Sequence, residues 1–242
     1  MKKLTLLLLL IFSQYNYAQF WKSKEKIYGD KNIITESRRM STYDKISVTG
    51  PYQVKIVQGN SHEVKVTADE NLMQAIDIFV KAGRLVIRTH PDFNIQKYSR
   101  LDIEVPAEYL SDIKLTGSGE IYGSYIFDWH NLKLSITGSG NMDFETDMKH
   151  ISASLTGSGE IKLQGKTGDL KISITGSGRI DAKNLEAEDA EVHVTGSGDA
   201  FVRVRQNLNI KILGTGRVYY YGEPEFLKTK NLGSGEVIFR QR

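Results

Sequence analysis

The sequence predicts an all-β fold: a single-stranded right-handed parallel β-helix, or solenoid, with short coils of about 19 residues and an N-terminal β portion continuous with it. One observation is a glycine motif, TGSG or a close variant, that recurs at steps of 18 to 21 residues. The other is the alternation of apolar and polar residues, rich in Ile, Val and Thr, around the motif. Helical solenoids need repeats of roughly 33 residues or more, so this period excludes them. The copies begin at Thr116, Thr137, Thr156, Thr175, Thr195, Leu213 and Leu232.

The first copy shows how a coil is built. Ile113 and Leu115 fall on one side of a strand, and Thr116 falls on the other. If the strand continues straight, Gly117 and Gly119 point inward, where a coil bends or approaches another backbone closely. If the chain turns instead, these glycines supply positive φ at a corner. A second, less regular turn follows about half a period later, and stacked coils then pair their strands in parallel.

The motif therefore predicts two sets of residues. The glycines are predicted to be structural, and the hydroxyl side chains are predicted to stack into an outward ladder that is a candidate binding surface. The structural glycines are Gly117, Gly119, Gly138, Gly140, Gly157, Gly159, Gly176, Gly178, Gly196 and Gly198. The candidate ladder is Thr116, Ser118, Thr137, Ser139, Thr156, Ser158, Thr175, Ser177, Thr195 and Ser197.

The first residues predict export. Lys2 and Lys3 precede an apolar run from Leu4 to Phe12, and a small residue, Ala18, follows at a suitable cleavage point. This pattern predicts a signal peptide over residues 1–18, and the run is too short for a transmembrane span. We therefore expect a periplasmic, cell-surface or extracellular protein. It is not a lipoprotein, because the sequence has no cysteine to carry the lipid.

The chain after the signal peptide divides into a short lead-in and one domain. Residues 19–40 are polar and charged, and they predict a partly ordered lead-in. Residues 41–242 predict a single solenoid domain. Its less regular N-terminal β portion covers 41–110, and its glycine-motif coils cover 111–242.

The N-terminal β portion is expected to close one end of the stacked coils, which otherwise expose an unpaired edge. The stretch Asn71–Val80 is ambiguous between helix and strand, and a hairpin is predicted to turn at Ala82 and Gly83. The predicted strands are Lys45–Thr49, Gln53–Gln58, Glu63–Thr67, Arg84–Thr89 and Leu101–Val105.

Composition and motif context exclude several functions. Two of the three net positive charges belong to Lys2 and Lys3, so the exported chain has no global field that would attract nucleic acid. The glycine motif lacks the Lys-Ser/Thr pair of a phosphate-binding loop, and an acidic residue follows four of its seven copies. We predict neither nucleic-acid nor nucleotide binding, and no cofactor.

Two acidic groups and a histidine pair are candidates for metal binding or catalysis. Alternating strand positions diverge in a line, whereas calcium needs converging oxygens, so solvated surface is the preferred interpretation of the acids. His130 and His150 occupy similar second-turn positions, but two histidines alone make a weak metal site. The acidic groups are Asn141, Asp143, Glu145 and Asp147, and Glu186, Glu188, Asp189 and Glu191.

Aromatic residues cluster in two places. Tyr219 and Tyr221 fall on one side of a strand and Tyr220 on the other, so at least one of them is expected to be exposed. Phe127 and Trp129 are also expected to be exposed in part. Exposed aromatic rings stack on sugars or anchor protein partners, whereas buried ones would cap the terminal coils.

Three stretches resemble a known family. The stretch VTGPYQV at Val48–Val54, with VQG at Val57–Gly59, is similar to the opening of the head GIN domain of putative auto-transporter adhesins. The serial TGSG copies and GTGRVYYYGEP at Gly214–Pro224 resemble that family as well. The resemblance covers nearly all of the mature chain and implies a secreted, all-β protein of β-helix type without catalytic residues. The last copy departs from the pattern, because Thr229–Leu232 lacks the apolar alternation.

The sequence thus predicts a non-catalytic exported binding or scaffold module, adhesin-like, that uses a surface rather than a pocket. Its partner would be a cell-surface glycan or protein, and it would form homo-oligomers, if any, through the solenoid ends or faces. A carbohydrate-active enzyme on a β-helix is the alternative from another class. A further alternative is an ice- or glycan-binding surface made by the Thr/Ser ladder.

Overall fold

The structure is a computed structural model, and it describes residues 23–123 and 125–241. The signal peptide predicted over residues 1–18 lies outside the described residues. Within the described ranges, no helix has the length and the apolar character that a membrane span requires.

The N-terminal portion contributes nine strands and one short helix. The stretch 71–80 is ambiguous between helix and strand in the sequence. Residues 71–75 belong to the short helix, and residues 76–80 belong to the sixth strand. The elements are β1 (Glu25–Tyr28), β2 (Ile33–Arg39), β3 (Lys45–Thr49), β4 (Gln53–Gln58), β5 (Glu63–Asp69), a 3₁₀-helix (Glu70–Ala75), β6 (Ile76–Lys81), β7 (Arg84–Thr89), β8 (Phe93–Lys97) and β9 (Leu101–Ala107).

The glycine-motif repeats contribute ten further strands. Coils about 19 residues apart stack into a β-solenoid of about seven turns, which confirms the predicted solenoid and its continuous N-terminal β portion. The strands are β10 (Asp112–Gly117), β11 (Glu120–Gly123), β12 (Asn131–Gly138), β13 (Asn141–Gly157), β14 (Glu160–Gly176), β15 (Arg179–Gly196), β16 (Asp199–Gly214), β17 (Arg217–Tyr221), β18 (Phe226–Gly233) and β19 (Glu236–Phe239).

The coils form two parallel sheets that meet at the glycine motif. The front sheet contains β7, β3, β10, β12, the second halves of β13 to β16, and β18, and from β10 onward each of these segments ends at a motif. The back sheet contains β9, β4, β11, the first halves of β13 to β16, β17 and β19, and from β11 onward each of these segments follows a motif. Inward side chains of both sheets build one core.

The glycine motif is a corner, which settles the alternative that the sequence left open. Strand β12 ends at Gly138, whose φ is +128°, and β13 begins at Asn141. A Cβ on Gly138 would lie 2.5 Å from the carbonyl oxygen of Gly117 in the preceding coil. A Cβ on Gly140 would lie 2.6 Å from the oxygen of Gly119. The first glycine therefore needs positive φ, and both need the space that only glycine leaves.

Antiparallel strands close the N-terminal end of the solenoid, as the sequence predicts. On the front side, β6 and β7 form the hairpin, with positive φ at Ala82 and Gly83. On the back side, β5 pairs antiparallel with both β9 and β2. The 3₁₀-helix adds buried Leu72 and Ala75 to the core. These elements cover the edge that stacked parallel coils would otherwise expose.

The region for which the sequence predicts a partly ordered lead-in, residues 19–40, contains strands β1 and β2. Strand β2 pairs with β5 along all seven of its residues, and β1 pairs with β8. No residue of β2 is fully buried, because the strand lies at the edge of the sheet. An edge strand without an inward apolar side gives little periodic signal in the sequence.

The expectation that Phe127 and Trp129 are partly exposed is wrong. Phe127 is 0% exposed and Trp129 is 7% exposed. The Phe127 ring packs against Trp129 at 4.5 Å and edge-to-face against Phe144 at 5.4 Å. Indole Nε1 of Trp129 donates a 2.8 Å hydrogen bond to the carbonyl oxygen of Glu108. The irregular connection between β11 and β12 thus fills the core.

The final coil keeps the register of the others although its sequence departs from the pattern. Strand β18 pairs with β16 over all eight of its residues, and all eight are exposed. Thr229 and Asn231 lie in register with the buried Ile210 and Ile212. Polar residues at inward positions of a terminal coil suit an end that faces water.

Candidate binding surfaces on the solenoid

A trough of about 880 Å³ runs along the front sheet, across the direction of the strands. It begins at Ser111 and crosses β12 to β16 and β18, one strand after another. Two columns of outward side chains form its walls, and each column receives one residue per coil. One wall is Asn131, His150, Asp169, Asp189, Asn207 and Phe226; the other is Lys133, Ser152, Lys171, Glu191, Asn209 and Lys228.

The first wall is polar from Asn131 to Asn207, and two pairs of its side chains are bonded between coils. His150 Nδ1 lies 2.6 Å from a carboxylate oxygen of Asp169. In the next coils, the side-chain amide of Asn207 donates a 2.6 Å hydrogen bond to Asp189, and its backbone N–H donates another at 3.0 Å. These contacts join successive coils and fix the positions of the polar groups.

The second wall contains an ion-pair network. Lys171 Nζ lies 2.9 Å from one carboxylate oxygen of Glu191, and His193 Nε2 lies 3.2 Å from the other. The hydrogen bond from Lys171 lowers the pKa of Glu191, although partial burial opposes the shift. Glu191 is therefore an anion at neutral pH, held between two potential cations.

The C-terminal end of the trough is apolar. Phe226 is 68% exposed and Leu227 is 44% exposed, and both line the trough. In the preceding coils, the residues in register with Leu227 are buried, Leu208 among them. Large exposed apolar side chains beside a groove are a feature of interaction sites.

The Thr/Ser ladder lies at the corner edge of the same sheet. The threonines stand in register from Thr116 to Thr195, and all ten ladder side chains are exposed. Among the described residues of this edge, one hydroxyl-to-hydroxyl bond joins two coils, from Thr215 to Ser197 at 3.0 Å. The threonine column continues into Leu213 and Leu232, which are also exposed.

A family model described as putative auto-transporter adhesin, head GIN domain, matches residues 42–224, well over half of the chain. The chain belongs to this family. No curated protein matches the sequence of this chain significantly.

Solved structures share the fold of this GIN domain over whole chains. A putative adhesin from Bacteroides fragilis is 21% identical with a TM-score of 0.84, covering 88% of this chain and 100% of its own. A putative lipid binding protein from Parabacteroides distasonis is 26% identical with a TM-score of 0.77, covering 89% and 100%. A putative adhesin from Parabacteroides merdae is 20% identical with a TM-score of 0.72, covering 89% and 99%.

The two acidic groups of the GIN domain meet at one small cleft, which is lined by Asp147 of the first group and by Glu186 and Glu188 of the second, beside Lys166 and Arg205. Asp143 stands beside Lys162 and Glu145 beside Gln164 in the back sheet, and Glu186 is bound by Arg205 at 3.0 Å. No three His, Asp or Glu side chains come together as metal ligands in the described ranges.

The histidine pair predicted at the second turn does meet. The rings of His130 and His150 are 6.0 Å apart between centroids, in an edge-to-face arrangement. His150 belongs to the trough wall as well, so this contact joins the second turn to the trough.

The tyrosines at 219–221 divide as the strand pattern predicts. All three side chains are partly exposed; Tyr220 packs against the core, whereas Tyr219 and Tyr221 lie on the outside of the back sheet. Tyr219 stacks on Phe201 of the preceding coil, a residue that no sequence motif singled out. The 18-residue spacing between the two rings equals the local coil length, and this spacing is the feature of the sequence that could have predicted their contact.

Proposed function

We propose that this GIN domain is a non-catalytic exported module that binds an extended glycan chain along the front sheet. The observation that carries the proposal is the trough, which continues across six strands without a break in its two walls. A groove of this shape suits a linear polymer better than a compact ligand.

The chemistry of the walls favours a polymer with hydroxyl or amide groups. Apart from Phe226 in the last coil, each coil adds one polar residue to each wall, at the strand spacing of about 4.8 Å. His150 and Ser152 on β13, Lys171 on β14 and Asn209 on β16 offer donors or acceptors. Several weak contacts made by one chain add their effects, because each contact holds the next unit close. The Thr/Ser ladder is a second set of hydroxyls on the same sheet.

The state of the carboxylates supports binding over hydrolysis. A glycosidase needs a pair of carboxyl groups, one of which has a raised pKa so that it donates a proton. Glu191 has a lowered pKa because of Lys171, and Asp189 is bonded to Asn207. These groups are arranged as fixed acceptors in a repeating wall.

The proposal is tested with a substitution that fills the trough. The exported chain is titrated with linear glycans on an array and then in solution by calorimetry. Ser152→Trp inserts a large ring between the walls, and Lys162→Trp places the same ring on the exposed outside of the back sheet. We expect binding to weaken on the order of tenfold in Ser152→Trp and to stay unchanged in Lys162→Trp. Equal affinity of both variants and the parent would contradict the proposal.

An amphiphilic lipid is a second candidate ligand, supported by exposed Phe226 and Leu227 at the end of the trough. The relative from Parabacteroides distasonis described as a putative lipid binding protein also supports it. Phosphatidylcholine vesicles provide the probe. Vesicle binding that is lost in Phe226→Ser, with no glycan bound by the parent, would favour the lipid over the glycan.

A further inference from the structure

Two aromatic rings stack on the outside of the back sheet, on the opposite side of the solenoid from the trough. Phe201 and Tyr219 are in register on β16 and β17. Their ring centroids are 4.5 Å apart and their planes differ by 7°, so the rings are parallel. Both side chains are partly exposed.

Arginines from the two flanking coils cover the ends of this stack. The guanidinium of Arg179, on β15, lies 5.3 Å from the centroid of Phe201. The guanidinium of Arg240, after β19, lies 5.4 Å from the centroid of Tyr219. Four successive coils thus contribute Arg179, Phe201, Tyr219 and Arg240 in that order, and we call this set the arginine–aromatic stack.

Stacking fixes the arginines without using their hydrogen-bond donors. A guanidinium over an aromatic ring is attracted to the ring face, while its N–H groups remain free at the rim. Because the side chain is already ordered, less rotamer entropy is lost when it binds an anion. The stack therefore presents two pre-organised cations, separated by three coil steps of about 4.8 Å each.

The arginines of the stack differ from their neighbour in charge pairing. Arg217 also lies over the Tyr219 ring, 5.8 Å from its centroid, but it donates two hydrogen bonds to Asp199, at 2.9 and 2.8 Å. These bonds raise the pKa of its guanidinium. In the described part of the chain, neither Arg179 nor Arg240 has a carboxylate within salt-bridge distance. Glu160 and Asp199 lie in register on the two sides of Arg179, but they are paired with Lys162 and Arg217. Their charges are available to a ligand.

Three other carboxylates of the back sheet are paired with cations of their own, so they oppose an anion less than free carboxylates would. The alternation of charge along the sheet also gives no broad positive field of the kind that membranes or nucleic acids require. The ion pairs of these three carboxylates are Glu160–Lys162 at 3.4 Å, Asp181–Lys183 at 3.1 Å and Glu186–Arg205 at 3.0 Å.

We propose that the arginine–aromatic stack is a binding site for an acidic polysaccharide. Arg179 and Arg240 would each bind a carboxylate or sulfate group of one chain lying along the solenoid axis. The edges of Phe201 and Tyr219 would contact the sugar C–H groups between those two anions. The site is separate from the trough, and it does not depend on the function proposed for the front sheet.

The experiment compares polygalacturonate with its methyl-esterified form, which has the same backbone without the charges. Binding to the exported chain is measured by calorimetry at low and moderate salt. We expect the acidic form to bind and the ester not to bind, and Arg179→Gln with Arg240→Gln to weaken binding on the order of tenfold or more. Equal binding of the ester, or unchanged binding of the double variant, would overturn the proposal.

Two control variants distinguish binding at the stack from binding in the trough or to diffuse surface charge. Tyr219→Ser keeps every charge but removes the ring beneath Arg240, so we expect severalfold weaker binding, whereas a purely electrostatic surface would bind as before. Ser152→Trp, which fills the trough, should leave polygalacturonate binding intact; loss of binding would place the acidic chain in the trough instead. Binding of the parent to anionic vesicles but not to polygalacturonate would likewise overturn the proposal.

Discussion

Gly138 lies so close to Gly117 of the preceding coil that a Cβ on Gly138 would stand 2.5 Å from the Gly117 carbonyl oxygen. Its φ of +128° is also strained for any other residue. We expect Gly138→Ala to lower the free energy of unfolding by about 2–4 kcal/mol, because backbone strain and a steric clash act together. Ser139→Ala, one residue later and exposed, should change it by less than about 0.5 kcal/mol. Urea denaturation of both variants measures the difference, and equal midpoints would contradict this account of the corner.

The two phenylalanines Phe127 and Phe226 provide a matched test of core and surface. Phe127 is fully buried against Phe144, whereas Phe226 is 68% exposed. We expect Phe127→Ala to lower the free energy of unfolding by about 3–5 kcal/mol, and Phe226→Ala to change it by less than about 1 kcal/mol. Thermal and urea unfolding measure both effects. A small effect of Phe127→Ala would mean that the connection between β11 and β12 does not contribute to the core.

Periodicity in the sequence was sufficient to predict the coils. The spacing from Thr116 to Thr137 is the pairing register of β10 with β12, and residues that alternate in sequence alternate in burial. The burial of Phe127 is not predictable in the same way, because the residue belongs to the longest interval between motifs, where no period indicates which way a side chain points. Strand β2 gives no periodic signal, because an edge strand has no buried side to create a pattern.

The candidate sites were harder to predict than the coils. The stack of Phe201 on Tyr219 joins β16 to β17 in unbroken register, but nothing in the sequence shows that two outward rings of successive coils will meet face to face. The trough depends on two columns of side chains that are neighbours only after folding. Single residues of these columns, such as Ser152 or Asn209, look like ordinary surface in the sequence.

The carboxyl group of Asp69 should make the free energy of unfolding depend on pH. It is fully buried, and burial alone would raise its pKa. Hydrogen bonds from the backbone N–H groups of Ser99 and Lys31, both at 2.7 Å, outweigh burial and lower the pKa of the carboxyl group. The stabilisation is therefore complete above the unfolded pKa of about 3.9 and is lost as the pH falls through the lower, folded value.

The test of Asp69 compares Asp69→Asn with the parent over a range of pH. At neutral pH, we expect the variant to be less stable by about 1–3 kcal/mol, since the amide has one oxygen to accept a hydrogen bond and its NH₂ group would face the other backbone donor. Below pH about 4, the gap should narrow as the parent loses its stabilisation. Urea unfolding at each pH measures the gap, with exposed Glu145→Gln as the control. A gap that stays constant down to acid pH would show that the charge of Asp69 does not matter.

The Thr/Ser ladder can be tested separately for its hydroxyl and its methyl groups. Thr137, Thr156 and Thr175 are exposed and in register, so their substitution should change the free energy of unfolding by less than about 0.5 kcal/mol each. Valine keeps the shape and the methyl group of threonine but lacks its hydroxyl, whereas serine keeps only the hydroxyl.

If the ladder binds a glycan through hydrogen bonds, affinity should fall stepwise as valines accumulate and should persist with serines. If it binds ice through ordered methyl groups, the valine series should retain activity and the serine series should lose it. Normal binding by both triple variants would assign the ladder a purely structural role, in which small polar residues allow the coils to turn at each corner.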